Sequence, residues 1–458
     1  MTLSTPVLTP STLFARETLW QSWLDVEATL AEVQADMGMI PESAARGIRA
    51  VAVLDRIGVD ALEADIRITH APILSLTRLL AKAAGKAGDY VHWGATTQNV
   101  MQTGRILLVR EADLEIRKIL ASALLLLAEM AETHADTLMA GRTNRQHALP
   151  ITFGFKVAGW IEELSRSINR LEGGGRRLFA LPFGGAVGAM HAFGPQGREL
   201  NRRLAARLDL SELLVPGRSN NDLFADYIVQ QSLLAMTIER IASELYLLMT
   251  QEIGEITERL DDGTVGSSTM PHKINPKYVV RVLADAAELR NLAAPAMETG
   301  RSSHEGDSAT NQLLSSVLDR AIPLAWEMAQ RFENLLARTE VQAAKMKDNA
   351  NQTGGAIATE RLMMLLAPMT GRSEAHDLIH HAIEHLPDPE ITVTEALRKD
   401  SAILAHLSEA EITAALDPAG YCGDSSAIAR DAATVARRMA GGLKSRSSTS
   451  SSDVALID

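Results

Sequence analysis

The sequence predicts an all-α fold that is organised around a bundle of long helices. Aliphatic stretches with apolar residues at helical spacing recur along the 458 residues, and short breaks that contain glycine or proline separate them. Strand-like alternation is almost absent, and residues 178–188 are the one stretch with short strand character. Aromatic residues are only 4% of the chain, so aliphatic and methionine side chains must fill most of the core.

Residues 1–108 are predicted to form an amino-terminal helical domain. The stretch from Trp20 to Met37 carries apolar residues at helical spacing and is predicted to be an amphipathic helix. A second helix is expected to begin near Pro41, because proline loses no hydrogen bond in a first turn. Helical spacing continues over residues 60–85, with an interruption at residues 68–72.

Residues 109–350 are predicted to form the central bundle of long helices. The helices predicted there are Arg110–His134, Thr152–Gly173, Gly194–Leu210, Leu223–Glu258, Lys277–Ala294 and Gln312–Lys345. Several exceed 20 residues and are apolar on more than one face, so they need packing partners on all sides. Neighbouring subunits would supply these partners in a homo-oligomer, and a monomeric bundle is the alternative.

The carboxy-terminal part of the chain has a different pattern. Residues 351–440 show shorter helical segments, which predict a small third domain. Residues 441–458 are rich in serine and lack periodicity, so a disordered tail is expected.

Charge and composition limit the possible classes of function. The formal net charge is −12, which argues against nucleic-acid binding but permits an anionic substrate in a local basic pocket. A single cysteine, Cys422, excludes an intrachain disulfide and fits a reducing compartment. No secretory signal or membrane-spanning run is visible, so a soluble cytoplasmic protein is expected. Neither a nucleotide-binding loop nor a metal-ligand set is predicted, so no cofactor or metal is expected.

The most unusual stretch is residues 266–276, which lie in a predicted loop over residues 258–277. Two serines, a lysine and an asparagine stand there between a glycine and two prolines. Proline excludes a regular helix, so the stretch is predicted to be an ordered loop. Hydroxyl, ammonium and amide donors side by side suit a site where negative charge develops on oxygen. A polar surface loop between helices is the alternative that composition leaves open.

This stretch resembles the signature of the fumarase/aspartase superfamily, Gly-Ser-Ser-x-Met-Pro-x-Lys-x-Asn-Pro, at every fixed position. The resemblance implies a three-domain helical fold, a homotetramer with a twenty-helix core, and active sites shared between subunits. It also implies the elimination of a group β to a carboxylate, or a related cycloisomerisation, without a cofactor. Ser267 would be the general base, and Lys273 and Asn275 would hold a substrate carboxylate beside Ser268 and Met270.

A second donor-rich segment, His92–Asn99, precedes a predicted helix. Hydroxyls and amides at a helix amino terminus suit an anion, although an ordinary N-cap explains the same residues. The segment resembles the superfamily's Gly-x-Thr-Ser-x-Asp region, which implies that Thr96, Thr97 and Gln98 bind a carboxylate. Asn99 stands where close relatives carry aspartate.

A third segment, Gly141–Pro150, resembles the superfamily's Gly-Arg-Thr-His-x-Gln element and is predicted to lie just before a helix. The resemblance implies that four polar side chains face the substrate, those of Arg142, Thr143, Asn144 and Gln146. Asn144 takes the place of the usual catalytic histidine, and an amide does not titrate near neutrality. His147 is a candidate acid, and a structural, hydrogen-bonded histidine is the alternative.

Three other residues are assigned to the site by the same resemblance. His70 lies in a break before a helix, where adenylosuccinate-lyase-type relatives carry an active-site histidine, so it is a second candidate acid. His304 belongs to an element in which Gly306 stands in place of arginine, and Asn221 replaces a substrate-facing arginine of the cycloisomerases. Neither asparagine nor glycine imitates a planar guanidinium, so a changed substrate is expected.

The resemblance is closest to the 3-carboxy-cis,cis-muconate cycloisomerase and adenylosuccinate lyase branch and extends from about residue 13 to residue 437. The sequence therefore predicts a lyase that acts on a substituted succinate or a similar small dicarboxylate, through an aci-carboxylate intermediate, and releases fumarate or a related unsaturated acid. The alternatives are a muconate cycloisomerase and an inactive binding or structural homologue. Because Asn144 cannot protonate a leaving group, a weakly basic one such as a carboxylate or nitrite is expected.

Overall fold

The computed structural model of the chain describes residues 8–384 and 391–446. The amino-terminal part consists of five helices, α1 (Arg16–Asp36), α2 (Glu42–Val51), α3 (Leu54–Ile57), α4 (Val59–Thr69) and α5 (Pro72–Ala84). The predicted first helix, the start after Pro41 and the interruption before Pro72 are all confirmed. Pro72 occupies the first turn of α5, where its missing N–H leaves no hydrogen bond unmade.

Long helices form the centre of the molecule, as predicted. They are α6 (Thr97–Thr133), α7 (Phe153–Leu178), α8 (Gly197–Leu208), α9 (Asp222–Leu248), α10 (Tyr278–Asn291), α11 (Ala293–Thr299) and α12 (Ser308–Arg338). One hydrophobic cluster, which extends from Leu13 to Leu443, joins these helices to the amino-terminal part. The fold is therefore all-α around a central bundle.

In the described part of the chain, six short strands lie at the ends of the bundle. They are β1 (Leu138–Thr143), β2 (Gln146–Thr152), β3 (Ala180–Leu181), β4 (Ser211–Glu212), β5 (Ile256–Glu258) and β6 (Thr339–Val341). β1 pairs antiparallel with β2, β5 pairs antiparallel with β6, and β3 pairs parallel with β4.

The strands correct two predicted helices and one predicted loop. The helix predicted over Leu223–Glu258 ends at Leu248, and the chain turns at Gly254, where φ is +59°, to form β5. The helix predicted over Gln312–Lys345 ends at Arg338 and gives way to β6. The β1–β2 hairpin lies where only a loop was predicted.

The remaining helices are α13 (Ala343–Asn351), α14 (Thr359–Thr370), α15 (Arg372–Glu384), α16 (Val393–Lys399), α17 (Ser401–Leu404), α18 (Glu409–Ala415) and α19 (Ser425–Arg446). Helices α14 to α18 enclose a hydrophobic cluster of their own, whereas α19 returns to pack against α6 and α7. The division into domains at residues 108, 350 and 440 stays a prediction.

The serine-rich tail was predicted to begin at residue 441, but α19 continues to Arg446. Residues 447–458 lie outside the described part of the chain. No helix among the described residues has the length of apolar sequence that a bilayer crossing requires.

Alternate long helices run in opposite directions, which gives the bundle two distinct ends. The first residues of α9 and α12 meet through a hydrogen bond from Asn221 to Asn311. The start of α10 meets the end of α12 through a hydrogen bond from Tyr278 to Asp261 and an ion pair of Asp261 with Arg338. Helices α6, α9 and α12 therefore begin at one end of the bundle, and α7 and α10 begin at the other.

Helix α7 approaches the end of α6 closely at Gly154, so a larger residue there should lower stability. A Cβ atom at Gly154 would lie 2.5 Å from the Ala131 carbonyl oxygen and 2.7 Å from the Ala135 Cα atom. Because these are backbone atoms that cannot swing away, Gly154→Ala should lower the free energy of unfolding by about 2 kcal/mol. Denaturant titration followed by circular dichroism measures the change.

Gly441 provides the control for that measurement, because it lies within α19 and nothing is within 4 Å of a Cβ atom placed on it. Gly441→Ala should raise stability by up to about 1 kcal/mol through helix propensity alone. Equal stability of Gly154→Ala and the parent protein would show that the two helices are not in such close contact.

Candidate active site

The loop of residues 259–276, which contains Ser267, is attached firmly at both of its ends. The Glu258 carboxylate accepts hydrogen bonds from the backbone N–H groups of Lys277, Tyr278 and Val279, at 2.6, 3.1 and 2.8 Å. These are first-turn donors of α10 that have no partner within the helix, so Glu258 caps α10 and closes the loop in one arrangement.

Inside the loop, backbone donors point at the Ser267 hydroxyl. Its Oγ accepts from the N–H groups of Met270 at 3.1 Å and Thr269 at 3.4 Å. Two N–H donors on one oxygen favour negative charge there, which a serine base requires. The Asn275 amide donates to the Gly266 carbonyl at 3.1 Å and holds the two arms of the loop together.

The other predicted residues of this loop point outward. Ser268, Met270 and Lys273 are exposed, and Ser267 is half-buried. Among the described residues of this single chain, no side chain makes a hydrogen bond to the Ser267 hydroxyl. The loop therefore presents the Ser268, Met270 and Lys273 side chains to solvent and keeps Ser267 partly covered.

The segment predicted to contain Asn144 is a β-hairpin, and Asn144 lies at its tip. Thr143 pairs with Gln146, which leaves Asn144 and Arg145 as a two-residue turn with φ of +49° and +67°. Positive φ at both central residues is typical of a type I′ turn, and asparagine tolerates this conformation better than most residues. The helix predicted after this segment is confirmed, because α7 begins at Phe153, and β2 (Gln146–Thr152) forms the second arm of the hairpin before it.

Arg142 is fixed by an ion pair with a wholly buried carboxylate. Its guanidinium donates to both Glu255 oxygens at 2.6 and 3.0 Å, and the Asn349 amide donates to the same carboxylate at 2.8 Å. The Glu255 side chain is 0% exposed, so loss of Arg142 would leave a buried charge unpaired. This pair attaches the hairpin to the segment before β5 and to α13, and contact of Arg142 with substrate stays a prediction.

His147 lies on β2 opposite Arg142 and is half-buried. Burial, followed by the positive charge of Arg142, lowers the pKa of His147, so its ring is neutral at neutral pH. Its Nδ1 atom is buried and has no hydrogen-bond partner among the described residues. This environment does not support the alternative of a fully hydrogen-bonded structural histidine, and a neutral ring is a weak source of protons.

The segment of Thr96, Thr97 and Gln98 lies at the opposite end of the bundle and presents unoccupied polar groups. Thr96 is the N-cap residue of α6, but its side chain makes no capping hydrogen bond. Within the described residues no hydrogen bond involves the side chains of these three residues. The ordinary N-cap alternative is therefore not observed, and the three side chains are available to a ligand at a helix amino terminus.

Asn99 holds a neighbouring loop against this segment. Its buried amide donates to the Pro182 carbonyl at 3.0 Å and accepts from the Gly185 N–H at 2.9 Å. The glycine-rich stretch over residues 183–188 thus serves close backbone packing. A carboxylate at position 99 could accept from Gly185 but could not donate to Pro182, which accounts for the amide.

Asn221 is wholly buried in a network of amides and hydroxyls. It accepts from the Gln102 amide at 3.1 Å and donates to Asn311 at 3.0 Å and Ser302 at 3.2 Å. The network joins the starts of α6, α9 and α12. The structure favours a positioning role for Asn221, and its direct contact with substrate stays a prediction.

His70 and His304 both occupy exposed positions with φ of +52°, and both lie near this same end. His70 terminates α4, and His304 lies in the connection between α11 and α12. A cavity of about 250 Å³ between α5, α6 and α12 is lined by Pro72, Gln98 and other side chains, which places the His70 segment beside Gln98. The roles of both histidines stay predictions.

A buried ion pair supports the backbone that leads to Thr96. The His92 Nδ1 atom lies 2.6 Å from Glu27 Oε1, and the Glu27 side chain is 1% exposed. Burial lowers the pKa of His92, but the hydrogen bond and the charge of Glu27 outweigh it, so the net pKa is raised. His92 itself has φ of +60°, which turns the chain toward α6.

These groups form two separate sets within one chain. We call residues 92–99, 182–221 and 300–308 the threonine end, and residues 138–152, 255–277 and 339–351 the hairpin end. The 37 residues of α6 separate them, which at 1.5 Å per residue is roughly 54 Å. The structure places the Ser267 loop and the hairpin at one end of the bundle, and Thr96 and Asn221 at the other, so Ser267 and Thr96 of the same chain do not meet.

Comparison with known proteins identifies the kind of protein that carries these groups. Residues 11–286 match the family model described as Lyase, and residues 355–432 match the model described as Adenylosuccinate lyase C-terminus. The N-acetyl-S-(2-succino)cysteine lyase of Enterococcus italicus is 31% identical over 400 residues, which are 87% of this chain and 88% of that protein.

Two other similar proteins have different names. The 3-carboxy-cis,cis-muconate cycloisomerase of Bradyrhizobium diazoefficiens is 34% identical over 417 residues, which are 90% of this chain and 92% of that protein. The crystal structure of a fumarate lyase from Mesorhizobium sp. BNC1 superposes with a TM-score of 0.85 at 32% identity, over 93% of this chain and 97% of that one.

The His92–Glu27 pair predicts a pH-dependent stability. Since the pKa of His92 is raised in the folded state, its charge stabilises the fold fully below the unfolded-state pKa of about 6.5. That contribution is lost as the pH rises through the folded-state pKa. His92→Gln, which keeps a hydrogen-bond donor without the charge, should lower the free energy of unfolding by about 1.5 kcal/mol at low pH. The difference should shrink above neutrality.

His134 offers a control of opposite sign, because burial lowers its pKa. Its contribution is present above the unfolded-state pKa and is lost as the pH falls. His134→Gln should therefore differ from the parent protein most at high pH. Thermal unfolding of the parent protein and both variants over a series of pH values measures the two differences. A His92→Gln difference that does not change with pH would show that His92 is uncharged in its pair with Glu27.

Proposed function

The chain belongs to the fumarase/aspartase superfamily, and we propose that it eliminates a weakly basic group from a 2-substituted succinate to release fumarate. Membership of this family makes the chain an enzyme, a lyase or a cycloisomerase. The observation that carries the finer proposal is the Ser267 loop, in which a hydroxyl receives two backbone N–H donors within a closed loop that also presents Lys273.

The chemistry explains why such a loop is needed. Removing a proton beside a carboxylate produces an aci-carboxylate with two negative charges on one group. Ser267 takes that proton, and the Lys273 ammonium and Asn275 amide stabilise the charge that develops. The free donors of Thr96, Thr97 and Gln98 bind a carboxylate of the same substrate at the amino terminus of α6.

Such a site requires more than one copy of the chain. The threonine end and the hairpin end are roughly 54 Å apart along α6, whereas a four-carbon dicarboxylate must touch both. A neighbouring subunit packed in the opposite direction brings its hairpin end to the threonine end of the first, and a twofold axis creates two such sites at once. We therefore propose a homo-oligomer with shared active sites, and the homotetramer that the family resemblance implies would contain such pairs of chains.

Exposed apolar side chains on the central helices support this assembly. Met236 and Leu247 on α9, Met297 on α11 and Leu313 on α12 are each more than a third exposed. These helices form the middle of the bundle, where an isolated chain would be expected to cover its apolar surface. Packing against the same helices of other subunits would bury them.

Asn144 determines the kind of leaving group. The amide cannot donate a proton to a departing atom, and the lowered pKa of His147 leaves that ring neutral. Amines and alkoxides are too basic to leave unprotonated, whereas a thiol has a pKa of about 8.5 and departs as the thiolate. The named reaction of the Enterococcus italicus relative concerns an S-(2-succino) compound, so an S-(2-succinyl) thioether is the first substrate to test.

A second candidate function is the cycloisomerisation of a carboxymuconate. The Bradyrhizobium diazoefficiens relative with that name is 34% identical to this chain. In that reaction a carboxylate adds to a double bond, so no amine or alkoxide has to be protonated on departure. Ser267 and the same donor groups would serve whether the proton is removed from the carbon beside the carboxylate or added to it.

An absorbance assay with a panel of compounds tests the proposal. Purified enzyme should release fumarate from an S-(2-succinyl) thioether faster than from N- or O-substituted succinates. Ser267→Ala should lower kcat by about 1,000-fold with little change in KM, because a general base acts only on the chemical step. Thr269→Ala, which alters the neighbouring exposed hydroxyl, should keep most of the activity.

Three outcomes would contradict the proposed function. Full activity in Ser267→Ala would mean that another group takes the proton. Consumption of 3-carboxy-cis,cis-muconate in place of any succinate would establish the cycloisomerase, and inertness toward the whole panel would overturn both functions.

Asn144→His tests, independently of Ser267, whether the leaving group must be protonated. Histidine also tolerates the positive φ of this turn, so the backbone should stay in place. The variant should be no faster than the parent enzyme on the thioether, since a thiolate needs no proton, but it should gain about tenfold or more on an N-substituted succinate. Asn144→Gly is the control for the turn alone. A large gain on the thioether would show that an acid was required there as well.

A further inference from the structure

Arg218 is a cation without an ion-pair partner among the described residues. Its side chain is half-buried, and its Nε atom is buried and has no hydrogen-bond partner in that part of the chain. All the remaining buried or half-buried arginines of the described residues make a side-chain hydrogen bond or an ion pair. Burying a charge without a partner is costly, so a bound anion that pairs with the Arg218 guanidinium would offset that cost.

Gly306 leaves the space that the Arg218 guanidinium occupies. A Cβ atom at position 306 would lie 2.6 Å from Arg218 Nε and 3.0 Å from its Cζ. Any larger residue would therefore displace the guanidinium, and glycine allows it to lie flat against the backbone. The side chain that conflicts is flexible, so a substitution at Gly306 moves Arg218 without disrupting the fold.

The backbone of Arg218 is held in place from two sides. Its carbonyl accepts a hydrogen bond at 3.1 Å from the Gln102 amide of α6, which also binds the buried Asn221. Gly217 packs against Gly188, where a Cβ would meet it at 3.0 Å. The residue is thus fixed at the threonine end, where α6, α9 and α12 begin and their amino termini favour negative charge.

We propose that the Arg218 guanidinium, which occupies the space that Gly306 leaves for it, binds a carboxylate of the dicarboxylate substrate. This inference rests on the proposed function and names the residue that recognises the substrate's charge at the threonine end. A planar guanidinium matches a carboxylate with two parallel hydrogen bonds, which the neutral Asn221 cannot form. Arg218 is a binding residue, separate from the proton transfer at Ser267.

Substitutions at Arg218 test the proposal in the full-length enzyme. Arg218→Gln should raise KM for the active succinate by about 100-fold, and Arg218→Lys, which keeps the charge but loses the planar pair, by about tenfold. The effect on kcat should be smaller than that on KM. Arg198→Gln, which removes an exposed arginine from the start of α8, is the matched control and should leave KM unchanged.

Gly306→Ala tests whether the position of the Arg218 guanidinium affects KM, which a purely structural role of Arg218 would not predict. Because it displaces the guanidinium, it should raise KM by about tenfold in the parent enzyme. In the Arg218→Gln background it should add nothing, since the displaced group is already gone. Additive effects of the two substitutions on KM would overturn the proposal, as would an unchanged KM in Arg218→Gln.

Calorimetric titration with succinate separates this inference from the proposed function. If the parent enzyme turns over no compound of the panel but binds succinate, weaker binding by Arg218→Gln supports the inference while the proposed reaction fails. Equal binding by Arg218→Gln and the parent enzyme overturns the inference alone. No binding of succinate, fumarate or any panel compound by the parent enzyme overturns both.

Discussion

The length of α6 is the constraint on which the rest of the structure depends. A continuous helix of 37 residues holds the polar groups around Thr96 far from the loop that contains Ser267. Within one chain neither set has all the groups of the proposed site: one has the hydroxyl and amide donors of residues 96–98, and the other has the Ser267 loop. The proposed reaction therefore requires that different chains contribute the two sets.

Buried polar contacts give both incomplete sets their shape before any assembly takes place. Glu258 closes the serine loop, and Glu255 fixes the hairpin through Arg142. At the other end, Asn99 and Asn221 hold loops through amides that donate and accept at once. Preorganised donors of this kind stabilise developing charge without rearrangement during the reaction. The functional groups themselves remain exposed or half-buried around these buried supports.

The sequence predicted the fold where local pattern decides it. The helix after Trp20, the break before Pro72 and the bundle follow from apolar spacing and proline, and the structure confirms them. The β1–β2 hairpin escaped prediction because its turn is Asn-Arg without glycine and Pro150 interrupts its second strand. The burial of Asn221 and the approach of Arg218 to Gly306 depend on contacts between distant segments. No periodicity reports such contacts, although Arg218, three residues before the position where Asn221 replaces the cycloisomerases' arginine, was a signal in the sequence.

The turn at Asn144 and Arg145 has a consequence for how such enzymes diversify. Its backbone conformation is imposed by the strands on either side, and asparagine, histidine and glycine can all adopt it. A single codon change there exchanges a histidine, which titrates near neutrality, for an amide, which does not, at a backbone conformation that both residues tolerate. Under the role proposed for Asn144, related genes would change their leaving group at this one position and keep the rest of the site.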